Sequence, residues 1–235
     1  IEGIMEEIKV TYEKYHFNIL ILLDELFAVS KGRIDAFCNG VLEGKQKYGW
    51  DFGWMFQTHA SARFDLQTLK KAKQAGCISF SYGLESASPK VLKSMNKRIK
   101  IEQVIEAIQI AKEAKIGFSA NLIFGDPAET EETVAESLAF WFEYGREACI
   151  FLAQLNSYPG SQVFQSCVEK GLIKDKKEYY ENIDKHPINM TSMTNETFNN
   201  IISLLNHLEQ SWLFVKTAKA DYFAESPNGT VIEKI

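Results

Sequence analysis

Short apolar runs alternate with longer segments of helical periodicity along most of the chain. The runs cover residues 18–23, 54–59, 77–83, 117–124 and 148–155. Each run is short, mostly apolar and bounded by polar residues or glycine, as the buried strands of a parallel sheet are. Successive runs are separated by about the length of a βαβ crossover, roughly 30 residues. The pattern therefore predicts five parallel β/α units joined by right-handed crossovers.

Five strands are too few to close an eight-stranded barrel. The predicted sheet is thus either an open or partial barrel or a doubly wound sheet. The first residues also have helical spacing, with Ile4, Ile8 and Tyr12 on one face. Because a helix that packs on a parallel sheet normally follows a strand, we expect a further strand ahead of it.

Capping signals predict where several helices begin. Asp65 and Ser161 each precede an apolar helical pattern, where their side chains would accept the first free backbone N–H groups. Ser88 places a hydroxyl before Pro89, a residue that suits the first helical position. A further apolar stripe at helical spacing runs through residues 101–111.

The pattern changes after Gly171, which predicts two regions with a boundary there. Residues 1–171 form the β/α domain, and residues 172–235 form a C-terminal extension. In the extension, an extended linker precedes a long amphipathic helix from residue 194 to about 222. The last ten residues, 226–235, are polar and rich in turn formers, and we expect them to be poorly ordered.

Composition and charge exclude several classes of protein. The chain of 235 residues is 46% hydrophobic and 24% charged, as is usual for a soluble globular protein. No apolar stretch approaches the roughly 20 residues of a membrane span, and no signal peptide is visible, so we expect a cytoplasmic protein. The net charge of −5 argues against broad nucleic-acid binding. The basic residues at positions 93–100 are more typical of a solvated helix face.

The cysteines do not form a metal-binding or redox motif. No two lie within four residues of each other, so no CxxC pattern exists and no metal site is predicted. We expect small buried hydrophobic side chains with reduced thiols at these positions. The four are Cys38, Cys77, Cys149 and Cys167.

Polar side chains follow the ends of the apolar runs, where parallel β/α proteins bind their ligands. These residues are Asp24, Glu25, Ser61, Arg63, Glu85, Ser86, Asn121, Asp126 and Asn156. Carboxylates at one rim suit an ammonium group or vicinal hydroxyls, and an arginine suits a carboxylate. The set would fit a ligand that contains an amine, a carboxylate and a ribose. The alternative is that these residues only cap the helices that follow.

Several segments together resemble the radical S-adenosylmethionine (radical SAM) superfamily. They are LLDELF, SARFD, GCISFSYGLESASPKVLKSMNK, NLIFGDPAETEET and NSYPGSQVF, and they lie within residues 1–171. The resemblance is greatest to the group that includes cobalamin-dependent enzymes, methylthiotransferases, the Elongator catalytic subunit and the anaerobic coproporphyrinogen oxidase. It implies a partial (β/α)6 barrel, here without its first strand, with about five strands and a C-terminal helical extension.

The resemblance also implies a chemistry that this sequence does not carry in full. The family holds a [4Fe–4S] cluster with a CxxxCxxC motif after the first strand, and SAM chelates the cluster. Cleavage of SAM then yields a 5′-deoxyadenosyl radical. No CxxxCxxC motif is present here. We therefore expect a fragment of a radical SAM oxidoreductase that is inactive alone, with no catalytic residue and no metal ligand of its own.

The family's SAM-binding positions carry over to seven residues. Three would hold the amino-acid end: Glu25 the amino group, and Lys97, with Arg63 as a second candidate, the carboxylate. Glu85 in GLES and Asn121 match positions that face the ribose. The other two, Ile123 and Gly125, would contact the adenine and leave room for it. In the run Gly-Asp-Pro-Ala-Glu-Thr at 125–130, we expect the last two residues to serve the helix start.

Two other hypotheses stay open at this point. An aldolase-like or phosphate-handling barrel is disfavoured, because no glycine-rich phosphate loop and no strand-end lysine base are visible. A non-catalytic scaffold would keep the same rim for another ligand or a partner protein. For a longer parent enzyme the resemblance implies a reductant such as a flavodoxin or ferredoxin, and it allows a cobalamin domain. The substrate is not readable from the sequence.

Overall fold

The computed structural model describes residues 1–24, 27–28, 30–59, 62–145, 148–183 and 188–218, with side chains described up to residue 211. The strands are β1 (Ile19–Leu22), β2 (Gly53–Thr58), β3 (Cys77–Glu85), β4 (Gly117–Phe124) and β5 (Cys149–Gln154). The helices within these ranges are α1 (Glu2–Tyr15), α2 (Lys31–Tyr48), α3 (Leu66–Gln74), α4 (Pro89–Ser94), α5 (Ile101–Glu113), α6 (Glu131–Tyr144), α7 (Gln162–Glu169), α8 (Lys176–Glu181) and α9 (Asn195–Ala218). All five predicted strands are confirmed.

The strands form one parallel sheet whose spatial order, β1-β2-β3-β4-β5, is also their order in the chain. In β1 and β2, Ile19 pairs with Gly53 and Leu22 with Phe56. A doubly wound sheet would reverse its strand order at one point, and no reversal occurs here. The structure therefore decides between the two predicted architectures and gives an α/β partial barrel.

Contacts divide the chain into two compact units. The first unit consists of Ile1–Leu84, Arg98–Asn121 and Trp141–Ile150, and the second consists of Glu85–Lys97, Leu122–Phe140 and Phe151–Ile235. The domain boundary that the sequence predicts at Gly171 stays a prediction. No helix in the described part of the chain is both long and apolar enough to cross a membrane.

The core of the first unit contains a cluster of aromatic rings. Period-two alternation in β2 buries Trp54 and Phe56 on the same side of the strand. The ring centroid of Trp54 lies 4.8 Å from that of Phe37 in α2, and Phe56 stacks on Phe80 of β3 at 5.7 Å. Each such pair contributes about 0.5–1.5 kcal/mol beyond the area that it buries. These rings fix the strands against the helices and leave the opposite side of the sheet for other contacts.

That opposite side carries small and polar residues. Ser79, Ser81 and Gly83 alternate with buried residues of β3 and are only partly buried, and Ser119 has the same place in β4. Gly117 allows the two strands a close approach, because a Cβ atom there would lie 2.9 Å from Cβ of Ser79. This side of β3 and β4 therefore carries short side chains at these four positions.

The second unit has its own apolar cluster. Phe164 and Cys167 of α7 pack with Ile173 and Met190. The residues around Met190 belong to the predicted linker, but they form a turn in which Asn189 Nδ2 donates to the carbonyl oxygen of Met193 at 2.8 Å. The linker is thus a packed part of the unit over residues 188–193, whereas residues 186–187 lie outside the described ones.

The helix boundaries agree with most of the capping signals. Asp65 accepts from the Thr68 N–H at 2.8 Å and Ser161 from the Phe164 N–H at 3.1 Å, so both predicted caps are confirmed. Ser88 stands at the predicted position, but its hydroxyl caps nothing. The reason is that this side chain points into the core, where its oxygen has no partner among the described residues. The predicted ends at residues 222 and 226–235 lie outside the described residues.

Candidate functional site

Glu85 occupies an unusual backbone position at the end of β3. Its φ angle is +69°, in the left-handed region that only a few per cent of non-glycine residues adopt. Such a conformation costs of order 1–3 kcal/mol and persists where the surroundings determine it. Here it coincides with the last residue of the strand. A strained polar residue at a strand exit is typical of a functional site.

Two buried serine hydroxyls hold the segment that follows Glu85. Ser137 of α6 accepts from the Ala87 N–H at 3.2 Å, and its oxygen lies 3.2 Å from the Ser86 hydroxyl. Ser86 in turn accepts from the Ser88 N–H at 3.1 Å. Both Ser86 and Ser137 are 1% exposed. Because a buried hydrogen bond is costly to break, this network fixes the backbone directly after Glu85.

The end of α4 brings Lys97 to the same place. Asn96 adopts φ +54°, its N–H donates to the Lys93 carbonyl at 3.1 Å, and the Lys97 N–H donates to the Leu92 carbonyl at 2.8 Å. These two bonds form a Schellman motif, in which asparagine takes the left-handed position after the helix. The sequence LKSMNK therefore determines the position of the Lys97 backbone.

Lys97 and Glu85 form an ion pair. The Lys97 Nζ donates to Glu85 Oε1 at 2.9 Å, and the two side chains are 23% and 18% exposed. The other carboxylate oxygen, Oε2, accepts no hydrogen bond from the described residues. The pair thus presents a fixed carboxylate with one unused acceptor, which suits a ligand with hydroxyl donors.

The loop after β4 is held by a second carboxylate. Gly125 has φ +114°, a conformation that favours glycine, and its N–H donates to Oε2 of Glu129 in a short hydrogen bond. Glu129 is 1% exposed, and its Oε1 has no hydrogen-bond partner among the described residues. Burial raises the pKa of Glu129 to about 7, and the nearby carboxylate of Asp126 raises it as well, while the Gly125 N–H lowers it. This carboxyl group therefore binds a proton more readily than an exposed glutamate does.

The role predicted for Glu129 at the start of α6 is wrong. Thr130 serves that start, since it exchanges hydrogen bonds with Thr133, including Thr130 N–H to Thr133 Oγ1 at 2.9 Å. The Glu129 side chain turns back to Gly125 instead, because a backbone N–H there would otherwise be buried without an acceptor. The spacing of four residues between a glycine and a glutamate after a strand is the only signal in the sequence that could have indicated this contact.

The seven predicted SAM-binding residues fall into three groups. Glu25 lies outside the described residues. Arg63 and Asn121 belong to the first unit, where both are exposed. The other four, Glu85, Lys97, Ile123 and Gly125, belong to the second unit, and the structure brings Glu85 and Lys97 into direct contact. The SAM-binding roles of all seven stay predictions.

The cysteines do not fit an iron–sulfur cluster. They lie on α2, β3, β5 and α7, and three of the four are buried. Burial raises the pKa of Cys38 to about 12 and raises that of Cys77 further, so neither thiol supplies a thiolate ligand readily. In the described part of the chain, no three His, Cys, Asp or Glu side chains are arranged to hold a metal ion.

Comparisons with known proteins find sequence relatives and one matching family model. The family model described as the radical SAM superfamily matches residues 52–140. The chain is 29% identical over 177 residues to an uncharacterized methyltransferase of Pyrococcus horikoshii, in a match that covers 74% of this chain and 36% of that protein. It is 27% identical over 179 residues to the anaerobic magnesium-protoporphyrin IX monomethyl ester cyclase of Rubrivivax gelatinosus, covering 75% and 31%. The chain thus spans about a third of the length of these relatives.

A solved structure has the same fold. The radical S-adenosylmethionine methyltransferase TsrM from Kitasatospora setae matches with a TM-score of 0.55 at 18% identity, over 71% of this chain and 30% of that one. The matched region of the family model contains both the Glu85 segment and the Gly125–Glu129 loop. Sequence relatives and fold therefore agree, and residues 52–140 of the chain match the radical SAM superfamily.

Proposed function

We propose that this chain supplies the nucleoside-binding part of a radical SAM enzyme whose cluster ligands lie outside these 235 residues. The longer enzyme would cleave SAM reductively at a [4Fe–4S] cluster and give methionine and a 5′-deoxyadenosyl radical. The proposal is supported by the superfamily match over residues 52–140, by the absence of a CxxxCxxC motif from the sequence and by relatives about three times as long.

One observation carries the proposal: the Glu85 carboxylate is fixed at a strand exit with an unused acceptor oxygen. A ribose offers two neighbouring hydroxyl donors, and a carboxylate is the acceptor that binds such a pair most strongly. In this proposal Glu85 accepts from the ribose hydroxyls. A ligand of the same shape without these donors would leave Oε2 of Glu85 without a partner, which gives the site its specificity.

The Gly125 loop would serve the adenine end of the ligand. Ile123 is partly buried and apolar, as a surface for a base should be, and Gly125 has no side chain to obstruct the ring. Glu129 would not touch the ligand, because its side chain is buried and one of its oxygens accepts from the Gly125 N–H. Its contribution is to keep the loop backbone in one conformation, so that the shape of the adenine side exists before the ligand binds.

Cobalamin and a reductant belong to the longer enzyme in this proposal. The TsrM structure contains cobalamin and a [4Fe–4S] cluster, and that protein is a methyltransferase. A methyltransferase and a cyclase among the sequence relatives are consistent with several reaction outcomes. A flavodoxin or ferredoxin would deliver the electron that the cleavage of SAM consumes.

Calorimetry on the 235-residue chain tests the nucleoside site directly. We expect 5′-methylthioadenosine and SAM to bind with similar, weak affinities, since the chelating bonds from SAM to iron are missing. Glu85→Ala should weaken both by at least about tenfold, because a hydrogen bond to a charged group is lost. Glu113→Ala, at an exposed position of α5, is the matched control and should change neither affinity.

Anaerobic treatment of the same chain with iron and sulfide tests the second part of the proposal. We expect no stoichiometric cluster absorbance, because the four cysteines lie on separate elements. A stoichiometric cluster would show that the ligands are in this chain after all. Failure of the wild-type chain to bind either nucleoside would instead favour a scaffold that uses the same fold without SAM.

A further inference from the structure

The ion pair between Lys97 and Glu85 assigns Lys97 a different role from the one that the family resemblance implies. We infer that Lys97 is a positioning residue, which holds the Glu85 carboxylate in its ribose-binding orientation, and that it does not bind the carboxylate of SAM. The inference rests on the proposed function, since it concerns how that nucleoside site is built. It starts from the 2.9 Å contact between Lys97 Nζ and Glu85 Oε1.

The backbone of Lys97 is fixed independently of any ligand. The Schellman motif at the end of α4 places it through two hydrogen bonds, from Asn96 N–H and from its own N–H. The side chain of Lys97 is not fixed by this motif. It extends to Glu85, twelve residues earlier in the chain. A lysine that waited for a ligand carboxylate would be expected to remain in solvent, whereas this side chain is only 23% exposed.

Glu85 needs such a partner more than most glutamates do. Its backbone is strained, and its side chain has three rotatable bonds that solvent alone would leave disordered. The serine network of Ser86 and Ser137 fixes the backbone after it but contacts no carboxylate oxygen. Lys97 therefore supplies the contact that fixes the head of the side chain.

The geometry of the contact leaves the carboxylate able to bind a diol. Lys97 uses Oε1, whereas Oε2 accepts no hydrogen bond from the described residues. Each carboxylate oxygen has two acceptor positions, so Oε2 can receive one or both ribose hydroxyls while the ion pair persists. Because the side chain is already ordered, the ligand does not have to freeze it, an advantage worth about tenfold in affinity.

The two roles of Lys97 make opposite predictions for ligands without an amino-acid end. If Lys97 binds the SAM carboxylate, its replacement lowers the affinity for SAM and leaves the affinity for 5′-methylthioadenosine unchanged, because that nucleoside has no carboxylate. A lysine that positions Glu85 affects both ligands equally. It also affects the preference for ribose over 2′-deoxyribose, since that preference depends on the orientation of Glu85.

The test measures binding of SAM, 5′-methylthioadenosine and 2′-deoxy-5′-methylthioadenosine to the full chain by calorimetry. The variants are Lys97→Met, Lys97→Gln, Lys97→Arg, Glu85→Gln and the double variant of Lys97→Met with Glu85→Gln. Lys93→Met, an exposed lysine in the last turn of α4, is the matched control. A cooperative thermal unfolding transition shows that a variant is folded. If Lys97→Met is not folded, Lys97→Gln replaces it in the comparison.

We expect Lys97→Met to weaken the binding of SAM and of 5′-methylthioadenosine by the same factor, about tenfold. It should also reduce the preference for ribose over 2′-deoxyribose, and Lys97→Arg should restore both properties. The double variant should bind no more weakly than Glu85→Gln, because Lys97 has nothing to position once the carboxylate is gone.

Three results would overturn the inference while the proposed function stands: loss of SAM binding alone in Lys97→Met, no loss for either ligand, or additive losses in the double variant. The first of these would restore Lys97 as the SAM carboxylate ligand. If the wild-type chain binds none of the three nucleosides, the proposed function fails and the inference fails with it. The wild-type measurement therefore separates the two failures.

Discussion

Replacing Glu129 with glutamine tests the electrostatic state of the Gly125 loop. The native carboxyl group is buried, its Oε1 has no hydrogen-bond partner among the described residues, and burial raises its pKa from 4.5 to about 7. The folded chain then binds a proton that the unfolded chain releases at lower pH. The contribution of Glu129 to the free energy of unfolding is fully present below the pKa of the unfolded state. It is lost as the pH rises from 4.5 through about 7. That interval corresponds to roughly 3 kcal/mol.

Glu129→Gln removes this pH dependence and keeps the contact. The amide carbonyl can still accept from the Gly125 N–H, and the side chain is neutral at every pH. We expect the free energy of unfolding of the variant, relative to the wild type, to increase by roughly 2–3 kcal/mol between about pH 5 and about pH 8. Other titrating groups are common to both proteins, so their effects cancel in the difference.

Urea denaturation followed by circular dichroism measures this difference at both pH values. Glu136→Gln, an exposed position on α6, is the control and should shift the free energy of unfolding by less than about 0.5 kcal/mol at either pH. A relative stability of Glu129→Gln that stays the same at both pH values would refute the reasoning, because the native carboxyl group would then be charged in the folded state without penalty.

Three further predictions concern the ligand, the sheet and the thiols. In a full-length parent enzyme, Glu85→Ala should raise the apparent KM for SAM, and an unchanged steady-state KM would remove Glu85 from the ribose role. Gly117→Ala should lower the free energy of unfolding, measured by urea titration, by about 1–3 kcal/mol, because the new Cβ would press on Ser79. A Cβ at Gly32 would meet no atom within 4 Å, so Gly32→Ala should be neutral or stabilising in the same titration. Brief alkylation of the native chain, read by mass spectrometry, should modify Cys149 before the three buried cysteines, and faster labelling of Cys38 would contradict the burial that raises its pKa.

The strands could be predicted from the sequence because each carries its signal locally. The run at residues 117–124 coincides with β4, and the other four runs match their strands to within two residues at either end. The exception at the end of β3 is informative. The strand continues to Glu85, whose left-handed conformation stops it, and glutamate has no local preference for that conformation.

Helix α2 has no counterpart among the helices that the sequence predicts. Gly40 and Gly44 lie within this helix and weaken its helical signal in the sequence. Tertiary packing explains why glycine is present at both positions. A Cβ atom at Gly44 would clash with the ring of Trp50, and one at Gly40 with the side chain of Met5. A residue that is required by a neighbour distant in sequence cannot be recognised from its own segment.

For a related reason, the candidate site could be predicted only in part from the sequence. Strand-exit position indicated Glu85 and the family resemblance indicated Lys97, but their ion pair depends on the Schellman motif that turns the chain after α4. Glu129 was assigned to the wrong partner, because its short hydrogen bond depends on the φ angle of Gly125. Ser137 was not recognised at all, since a serine within a helix is usually a surface residue.

Strand order along the sheet has a consequence for how the protein forms. Every strand pairs with the one that precedes it in the chain, so each new pairing closes a loop of only one β/α unit. Loop closure over such a distance costs little entropy, and a sheet built from near neighbours has a low contact order for a parallel architecture. We expect the strands to add in order as the chain leaves the ribosome, each on the edge that the last one created.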